Sequence, residues 1–253
     1  METVIDVKGL CKTYIIKKIS NNVLRNIDFT LREGEFITIM GPSGSGKSTM
    51  LYTVSGMDRA TAGDICFLGK NFSDMNDKEL ARVRLVSMGF IFQQMYMMRK
   101  LCILDNILLP GFHAGLKDRK QIREEAEMLM RRLGIMDIAE NEISEVSGGQ
   151  LQRACLCRAL INHPKVLFAD EPTGALNSKA AGEVVNELVK VNRDGTAIMM
   201  VTHSARVAAA SDRVIYLIDG HIEGSIELGK LEDEADLLQR ERQINKWLMD
   251  QGW

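Results

Sequence analysis

Nine consecutive residues, Gly41-Pro42-Ser43-Gly44-Ser45-Gly46-Lys47-Ser48-Thr49, combine what a polyphosphate needs from a protein. The glycines let the backbone turn tightly enough to aim successive N–H groups at one anion. Lys47 adds a point charge for β- and γ-phosphates, and the Ser48 hydroxyl can ligate Mg²⁺. The flanks fit this chemistry. Residues 36–40 form an apolar, strand-like run, and residues 48–55 read as a helix whose N-terminal end adds favourable dipole. A chance glycine-rich turn would not match nine positions between a strand and a helix.

A second chemical signal closes another apolar run. Residues 166–169 lead into Asp170 and Glu171, placing one carboxylate for Mg²⁺ and another able to orient and polarise a water. Alone, such an acidic strand end is common; paired with an upstream phosphate loop it gains weight. Two further apolar runs end in polar residues, 89–92 before Gln93 and 197–201 before Thr202 and His203. In an open α/β sheet, ligands bind outside the carboxyl ends of the strands. If these strands are parallel neighbours, the phosphate loop, Gln93, Asp170, Glu171 and His203 converge on one edge. His113, His163 and His221 lack that context and read as loop or surface residues. Ser147-Gly148-Gly149-Gln150, opening a helical segment, is another anion-binding geometry of free N–H groups, a hydroxyl and a positive helix end. It calls for a second phosphate, or the far side of the same one.

The elements that must position these groups read as α/β. Strand-like runs at 3–7, 23–31 and 65–68 make the early chain strand-rich, and the pattern turns helical between about 101 and 161. A helix is expected over 117–133, with Asp118 as N-cap and Gly134 as stop. Strands return at 166–169, 197–201 and 214–218, and Asp219-Gly220 reads as a hairpin turn. Alternation of strands and helices favours a largely parallel sheet. The expected organisation is a single domain over 1–230, with a helical insert near 95–160, and a helical tail over 231–253.

The 253 residues are 45% hydrophobic and 26% charged with a net charge of −2, which gives no global reason to expect nucleic acid as partner. Five scattered cysteines without zinc-ligand spacing read as reduced thiols of a cytosolic protein. Cys155 and Cys157 read as two ordinary positions on one helix. The N-terminal residues are too short and polar for a signal sequence, and no apolar run approaches the ~18 residues of a membrane span. The chain is expected to be soluble by itself, with any membrane role exercised through a partner.

These motifs, six of them in family order over nearly the whole chain, resemble those of ABC ATPases. Residues 147–150 look like that family's signature, with Val146 where leucine is commoner. The resemblance implies a P-loop (RecA-like) core with an antiparallel β subdomain and a helical subdomain. It also implies ATP as ligand, and a dimer in which Ser147, Gly148, Gly149 and Gln150 of one copy close over ATP held by the other's loop. It makes Tyr14 the aromatic residue stacked on adenine, and Gln93 a residue that reaches Mg²⁺ and senses a membrane partner. Ser48 and Asp170 become metal-binding, Glu171 the catalytic acid and His203 the switch histidine at the γ-phosphate. Gly174-Ala175-Leu176-Asn177 resembles the D-loop, where Asp is usual at the place of Asn177; the missing charge bears on communication between the two ATP sites.

Within the family, the charged stretch 72–86 and Pro172-Thr173-Gly174 are similar to the group of macrolide exporters, lipoprotein-releasing ATPases and bacitracin-type antimicrobial-peptide resistance transporters. The continuation Ala175 to Ser178, with the tail ending in Asp250-Gln251-Gly252-Trp253, resembles the bacitracin-type branch most. That implies a separate integral membrane permease, a location at the inner face of the cell membrane, and a role in antimicrobial-peptide resistance. Control of a non-transport membrane partner, of the lipoprotein-release or cell-division type, is the alternative. A soluble ABC protein of translation or DNA repair would carry two nucleotide domains or a long coiled-coil insert, and neither is present. Met95, Tyr96, Met97 and Met98 form a soft apolar cluster suited to a partner groove, with a core position the rival reading. In the tail, Leu237, Leu238, Ile244, Trp247 and Leu248 share a helical face. Folding back on its own domain is the commoner outcome for such a face, and docking to a partner is the alternative.

Overall fold

The chain's longest apolar runs become its most buried strands. The computed structural model describes residues 2–253, apart from the side chains of Ile16 and Glu234. The first half runs β1 (Thr3–Ile16), β2 (Ile19–Arg32), β3 (Phe36–Met40), α1 (Lys47–Val54), β4 (Ala62–Phe67), β5 (Lys70–Asn71), α2 (Asp77–Ser87), β6 (Met88–Ile91) and α3 (Ile103–Ala114). It continues through α4 (Arg119–Arg132), α5 (Gly148–Leu160), β7 (Val166–Asp170), α6 (Ser178–Arg193), β8 (Ala197–Val201), α7 (Ala205–Ala208), β9 (Arg213–Ile218), β10 (His221–Glu227) and α8 (Leu237–Asp250).

The strands form two sheets. An antiparallel sheet has the order β2-β1-β4-β5, and a six-stranded sheet has the order β10-β9-β3-β8-β7-β6. Strands β9, β3, β8, β7 and β6 are mutually parallel, and β10 joins β9 antiparallel. All residues of β3, β7 and β8 are buried, as expected for parallel strands covered on both faces. Their side chains alternate between two cores, because successive strand residues point to opposite faces. Ile37, Ile39, Phe168, Met199 and Val201 enter the core shared with the antiparallel sheet and α1. Phe36, Leu167, Ala169, Ile198 and Met200 enter the core shared with helices α3 to α6.

Local chemistry sets the helix ends. Asp118 accepts from Gln121 N at 2.9 Å, and Gln121 Oε1 accepts from Asp118 N at 3.1 Å, a reciprocal cap at the expected start of α4. Asn76 and Glu79 cap α2 in the same way, so only the second part of the charged stretch 72–86 is α-helical.

Several expectations on extent need correction. The strands expected at 3–7 and 23–31 are 14 residues long each, and they meet in a two-residue turn at Lys17 and Lys18, both left-handed. The surface reading of His113 and His221 holds, since both are exposed, but they lie in α3 and β10 rather than in loops. The helical part of the tail begins with a 3-10 turn at Glu234–Asp236 and is α-helical only from Leu237. Its apolar face folds back on the chain: Ile244 and Leu248 are buried with Met40, Ala208, Ala209, Val214 and Tyr216. Leu238 is left out of that face and stays 58% exposed. Among the described residues no helix is long and apolar enough to cross a membrane.

Candidate functional site

Parallel strands deliver the site. Because β3, β8, β7 and β6 are adjacent and parallel, their carboxyl ends share one edge. From that edge emerge the loop 41–46 after β3, His203 after β8, Asp170 and Glu171 at the end of β7, and Gln93 after β6.

The loop 41–46 turns directly into α1. Gly46 takes a left-handed φ of 102° at the N-cap of α1, which favours glycine. At Gly41 a Cβ would lie 2.1 Å from the Leu217 carbonyl oxygen, so no larger residue fits. The loop closes on itself through Ser45 N, which donates to Pro42 O at 3.2 Å, and is tied to the β9–β10 turn by Gly220 N donating to Ser45 O at 3.1 Å. The Lys47 ammonium donates to the carbonyls of Gly41 and Pro42, both at 2.8 Å. Burial pulls its pKa below the ordinary lysine range, against the opposing pull of Glu171 and Asp170. A cation in that condition gains from an anion brought into the loop.

Asp170 is almost fully buried and accepts two hydrogen bonds, from Ser48 Oγ at 2.9 Å and from Tyr52 Oη at 2.7 Å. Tyr52 lies four residues after Ser48 on α1, so both face the same carboxylate. Burial, and then the bond to Asp170, raises the Tyr52 phenol well above its usual range, which keeps it a donor. A hydroxyl beside a carboxylate is a hard-oxygen pair that fits Mg²⁺ completed by phosphate oxygens and water. Among the described residues no cluster of three or more His, Cys, Asp or Glu could hold a metal without such help.

Glu171 is left-handed, with φ 46°. Its N–H donates to Val201 O at 3.0 Å, and His203 Nδ1 lies 3.0 Å from its Oε1. Its other oxygen, Oε2, is buried and has no partner among the described residues. A strained backbone and an orphaned carboxylate oxygen in one residue point to function rather than stability. His203 is 70% exposed in its side chain, open to a ligand on the far side from Glu171.

Gln93 is exposed, and its Nε2 reaches the turn after β7: a Cβ added at Gly174 would lie 3.8 Å from it and 3.6 Å from the Glu171 Cβ. Tyr14, on β1, donates its hydroxyl to Asp58 Oδ2 at 2.6 Å, with Lys12 Nζ 4.7 Å from its ring centroid. Residues 147–150 lie elsewhere. Ser147 Oγ accepts from Gln150 N at 3.3 Å, and Gln150 Oε1 accepts from Ser147 N at 2.9 Å, capping α5. The glycines between them abut Leu176 and Ala180 rather than the phosphate loop. Asn177 caps α6, its Oδ1 accepting from Ala180 N at 2.9 Å. The structure therefore gathers Lys47, Ser48, Asp170, Glu171 and His203 into one site and leaves Ser147, Gly148, Gly149 and Gln150 apart from it.

Sequence reasoning missed four residues. Tyr52 was detectable by its helical spacing from Ser48. Asp58 and Lys12, paired at 2.6 Å behind Tyr14, carried no local signal. Arg158 on α5 donates to Met95 O at 2.6 Å and Tyr96 O at 2.7 Å, holding two left-handed residues just after Gln93.

Comparison with known proteins agrees with this geometry. The ABC transporter family profile matches residues 24–174. The chain is 39% identical to the uncharacterized ABC transporter ATP-binding protein YknY of Bacillus subtilis (strain 168), over 86% of this chain and 94% of that one. It is 39% identical to the lipoprotein-releasing system ATP-binding protein LolD of Aquifex aeolicus (strain VF5), over 83% of this chain and 95% of that one. It is 40% identical to the macrolide export ATP-binding/permease protein MacB of Escherichia coli, covering 88% of this chain but only 34% of that longer protein. Among solved structures, the dimeric bacterial ABC transporter cassette MJ0796 superposes with a TM-score of 0.84 at 36% identity, over 90% of this chain and 100% of that one. The same cassette is known in a dimeric post-hydrolysis state bound to ADP and Pi, at 35% identity and a TM-score of 0.84, with the same coverage. This chain belongs to the ABC transporter family, as an ATP-binding subunit that hydrolyses ATP.

Proposed function

We propose that two copies of this chain sandwich two ATP molecules, and that closing and opening of the pair drives a separate integral membrane permease. The observation that carries this reading is the division of the site. Lys47, Ser48, Asp170, Glu171 and His203 meet at one sheet edge, while the capped N-terminus of α5 at Ser147 lies apart from it. A second copy is what brings the two halves together, and the dimeric state of the MJ0796 cassette supports it.

In this reading the N–H groups of residues 41–49 and the Lys47 ammonium bind the phosphates, and the Tyr14 ring stacks on adenine. Ser48, Asp170 and Gln93 hold Mg²⁺, which supplies charge neutralisation on the β- and γ-phosphates. Glu171 orients the water that attacks the γ-phosphorus and takes up its proton as the bond to the ADP oxygen breaks. His203 steadies the γ-phosphate, and Ser147, Gly148, Gly149 and Gln150 of the second copy complete the cradle.

The permease docks at a cleft of about 310 Å³ lined by Met57, Phe90, Phe92, Tyr96 and Arg158, with Tyr96 and Met98 exposed beside it. Its cargo is a peptide antibiotic or a lipid complex of one: the residues 175–178 support the peptide, and similarity to a protein named for macrolide export supports antibiotic export in general. Similarity to a lipoprotein-releasing ATPase favours a second reading, extraction of lipidated substrates from a membrane.

The test is Glu171→Gln. With ATP it should stop turnover, retain nucleotide and run as a dimer in light scattering. Normal turnover removes Glu171 from its role as the base, and a nucleotide-bound monomer refutes the sandwich. Mass spectrometry of the integral protein that co-purifies from native membranes separates the two cargo readings.

A further inference from the structure

The tail beyond residue 230 lies outside the family profile match at 24–174, yet it is tied to the switch segment. Arg240 on α8 is 8% exposed. Its Nη1 donates to Ala209 O at 3.4 Å and Ser211 O at 3.1 Å. Its Nη2 donates to Leu228 O at 3.2 Å, Gly229 O at 2.8 Å and Lys230 O at 2.7 Å. One guanidinium thus spans two chain segments, the exit of α7 and the exit of β10. Five carbonyl acceptors and no carboxylate within its hydrogen-bonding set make it a clamp rather than half of an ion pair.

The clamped segment begins at the site. His203 is followed directly by Ser204, whose hydroxyl accepts from Val207 N at 3.4 Å and caps α7, and whose own N–H donates to Thr202 Oγ1 at 3.2 Å. Helix α7 is a single turn, too short to hold its position by its own hydrogen bonds. One side of it is held by the core of helices α3 to α6, where Val207 and Ala210 are buried, and the other side by α8. Ala208 and Ala209 share a buried cluster with Ile244 and Leu248, and that cluster also contains Met40, the residue immediately before the phosphate loop. The same helix borders the cleft of about 750 Å³ that contains His203, through Leu237, Leu238 and Glu241. None of these tail residues is placed to touch a phosphate at Lys47.

We infer that Arg240 is a positioning residue for ATP hydrolysis: by clamping the carbonyls at the end of α7 it fixes the short helix that directly follows His203, and with it the loop that holds His203 against Glu171. This rests on the reading of His203 as the group that steadies the γ-phosphate. A histidine 70% exposed in its side chain has little packing of its own to define its place, so its register depends on the backbone on either side, β8 with the buried Thr202 before it and α7 after it. A displacement of about 1 Å in a group that orients a reacting atom costs on the order of a hundredfold in rate.

The experiment uses the full chain with Arg240→Ala, Arg240→Lys, His203→Ala and the double variant, measuring ATP affinity by titration and turnover at saturating ATP. Arg240→Ala should bind ATP within about twofold of the parent and turn over at least about tenfold more slowly. Arg240→Lys, which keeps a donor but not the fork, should fall between the two. In the His203→Ala background the Arg240→Ala change should cost less than about twofold more, because the residue acts through one already removed. Unchanged turnover in Arg240→Ala overturns the inference. So does a loss of ATP affinity in step with turnover, which marks a merely structural role, and so does a loss additive with His203→Ala. Normal turnover in His203→Ala alone overturns the reading of His203 instead.

Discussion

Replacing Glu171 by glycine should make the ligand-free chain more stable while abolishing its turnover. Two costs coincide at this residue. Its left-handed backbone, φ 46°, is worth about 1–2 kcal/mol for a residue with a Cβ. Its buried Oε2 lacks a partner among the described residues, worth about 1–3 kcal/mol. Glu171→Ala removes the second cost and keeps the first. Glu171→Gly removes both and adds about 0.5–1 kcal/mol of unfolded-chain entropy. Both variants give up the hydrogen bond to the exposed His203, a surface interaction of at most about 1 kcal/mol. From alanine to glycine, a step that destabilises an ordinary strand or helix, the expected change is therefore a gain of up to about 1.5 kcal/mol. At ~2–4 °C per kcal/mol for a chain of this size, Glu171→Gly should melt a few degrees above Glu171→Ala, and both above the parent.

Urea and thermal melts of the three proteins without nucleotide measure these steps, and single-turnover hydrolysis measures the loss of function. A glycine variant less stable than the alanine variant by the ordinary ~0.5–1 kcal/mol would show that no strain is stored at this position. An alanine variant no more stable than the parent would refute the claim that the orphaned oxygen is costly.

Other variants probe the rest of the edge. Tyr52→Phe deletes a hydrogen bond to a buried carboxylate and should lower stability by about 1.5–3 kcal/mol in denaturant unfolding; a change under ~0.5 kcal/mol would discount the bond to Asp170. Asn177→Ala should cost ~1 kcal/mol through loss of the α6 cap, whereas Asn177→Asp keeps the cap and gains about 0.3–1 kcal/mol from the helix dipole, both read by urea unfolding. Burial holds the free Lys47 ammonium below the usual lysine range, and the ammonium is the form that attracts phosphate. Above that pKa, binding must take up a proton, so ATP affinity should fall with rising pH from an onset below the ordinary ~10.4; titrations from about pH 7 to 10 that stay flat would count against a role for Lys47 at the phosphates.

How much was legible in the sequence depended on whether the deciding interaction is local. Strands β3 and β8 read to the residue, and β7 to within its last one, because strands buried on both faces are unbroken apolar runs. The turn at Asp219 and Gly220 was visible because its left-handed residues are of the types that tolerate that backbone. The turn at Lys17 and Lys18 makes the same demand with lysines, so nothing in the residue types announced it, and β1 and β2 read too short. In the tail, Leu237, Ile244 and Leu248 lie on one helical stripe, while Leu238 falls one residue off it and stays exposed. Arg158 and Arg240 were illegible for a different reason. Their partners are backbone carbonyls, which carry no residue identity, and only the three-dimensional path of the chain brings them within reach.

Strand spacing explains which site residues touch and which do not. Neighbouring strands lie ~4.8 Å apart, and the order β3-β8-β7-β6 sets the phosphate loop one strand from His203, two from Asp170 and three from Gln93. His203 and Glu171 follow adjacent strands and meet directly, at 3.0 Å. Ser48 and Asp170 are separated by a strand and should sit ~10 Å apart if both stayed at their strand ends. They meet at 2.9 Å because α1 packs across β8 and β7, carrying Ser48 and Tyr52 over the intervening strand to the carboxylate. Gln93 follows β6, the neighbour of β7, and reaches the turn after β7 without such a crossing, where one point beside Gly174 lies within 4 Å of both its Nε2 and the Glu171 Cβ. The site is thus made by the order of four strands and one crossing helix. Moving Asp170 one residue along β7 would turn its side chain to the opposite face of the sheet, and no rotamer change in α1 could bring Ser48 and Tyr52 to it there.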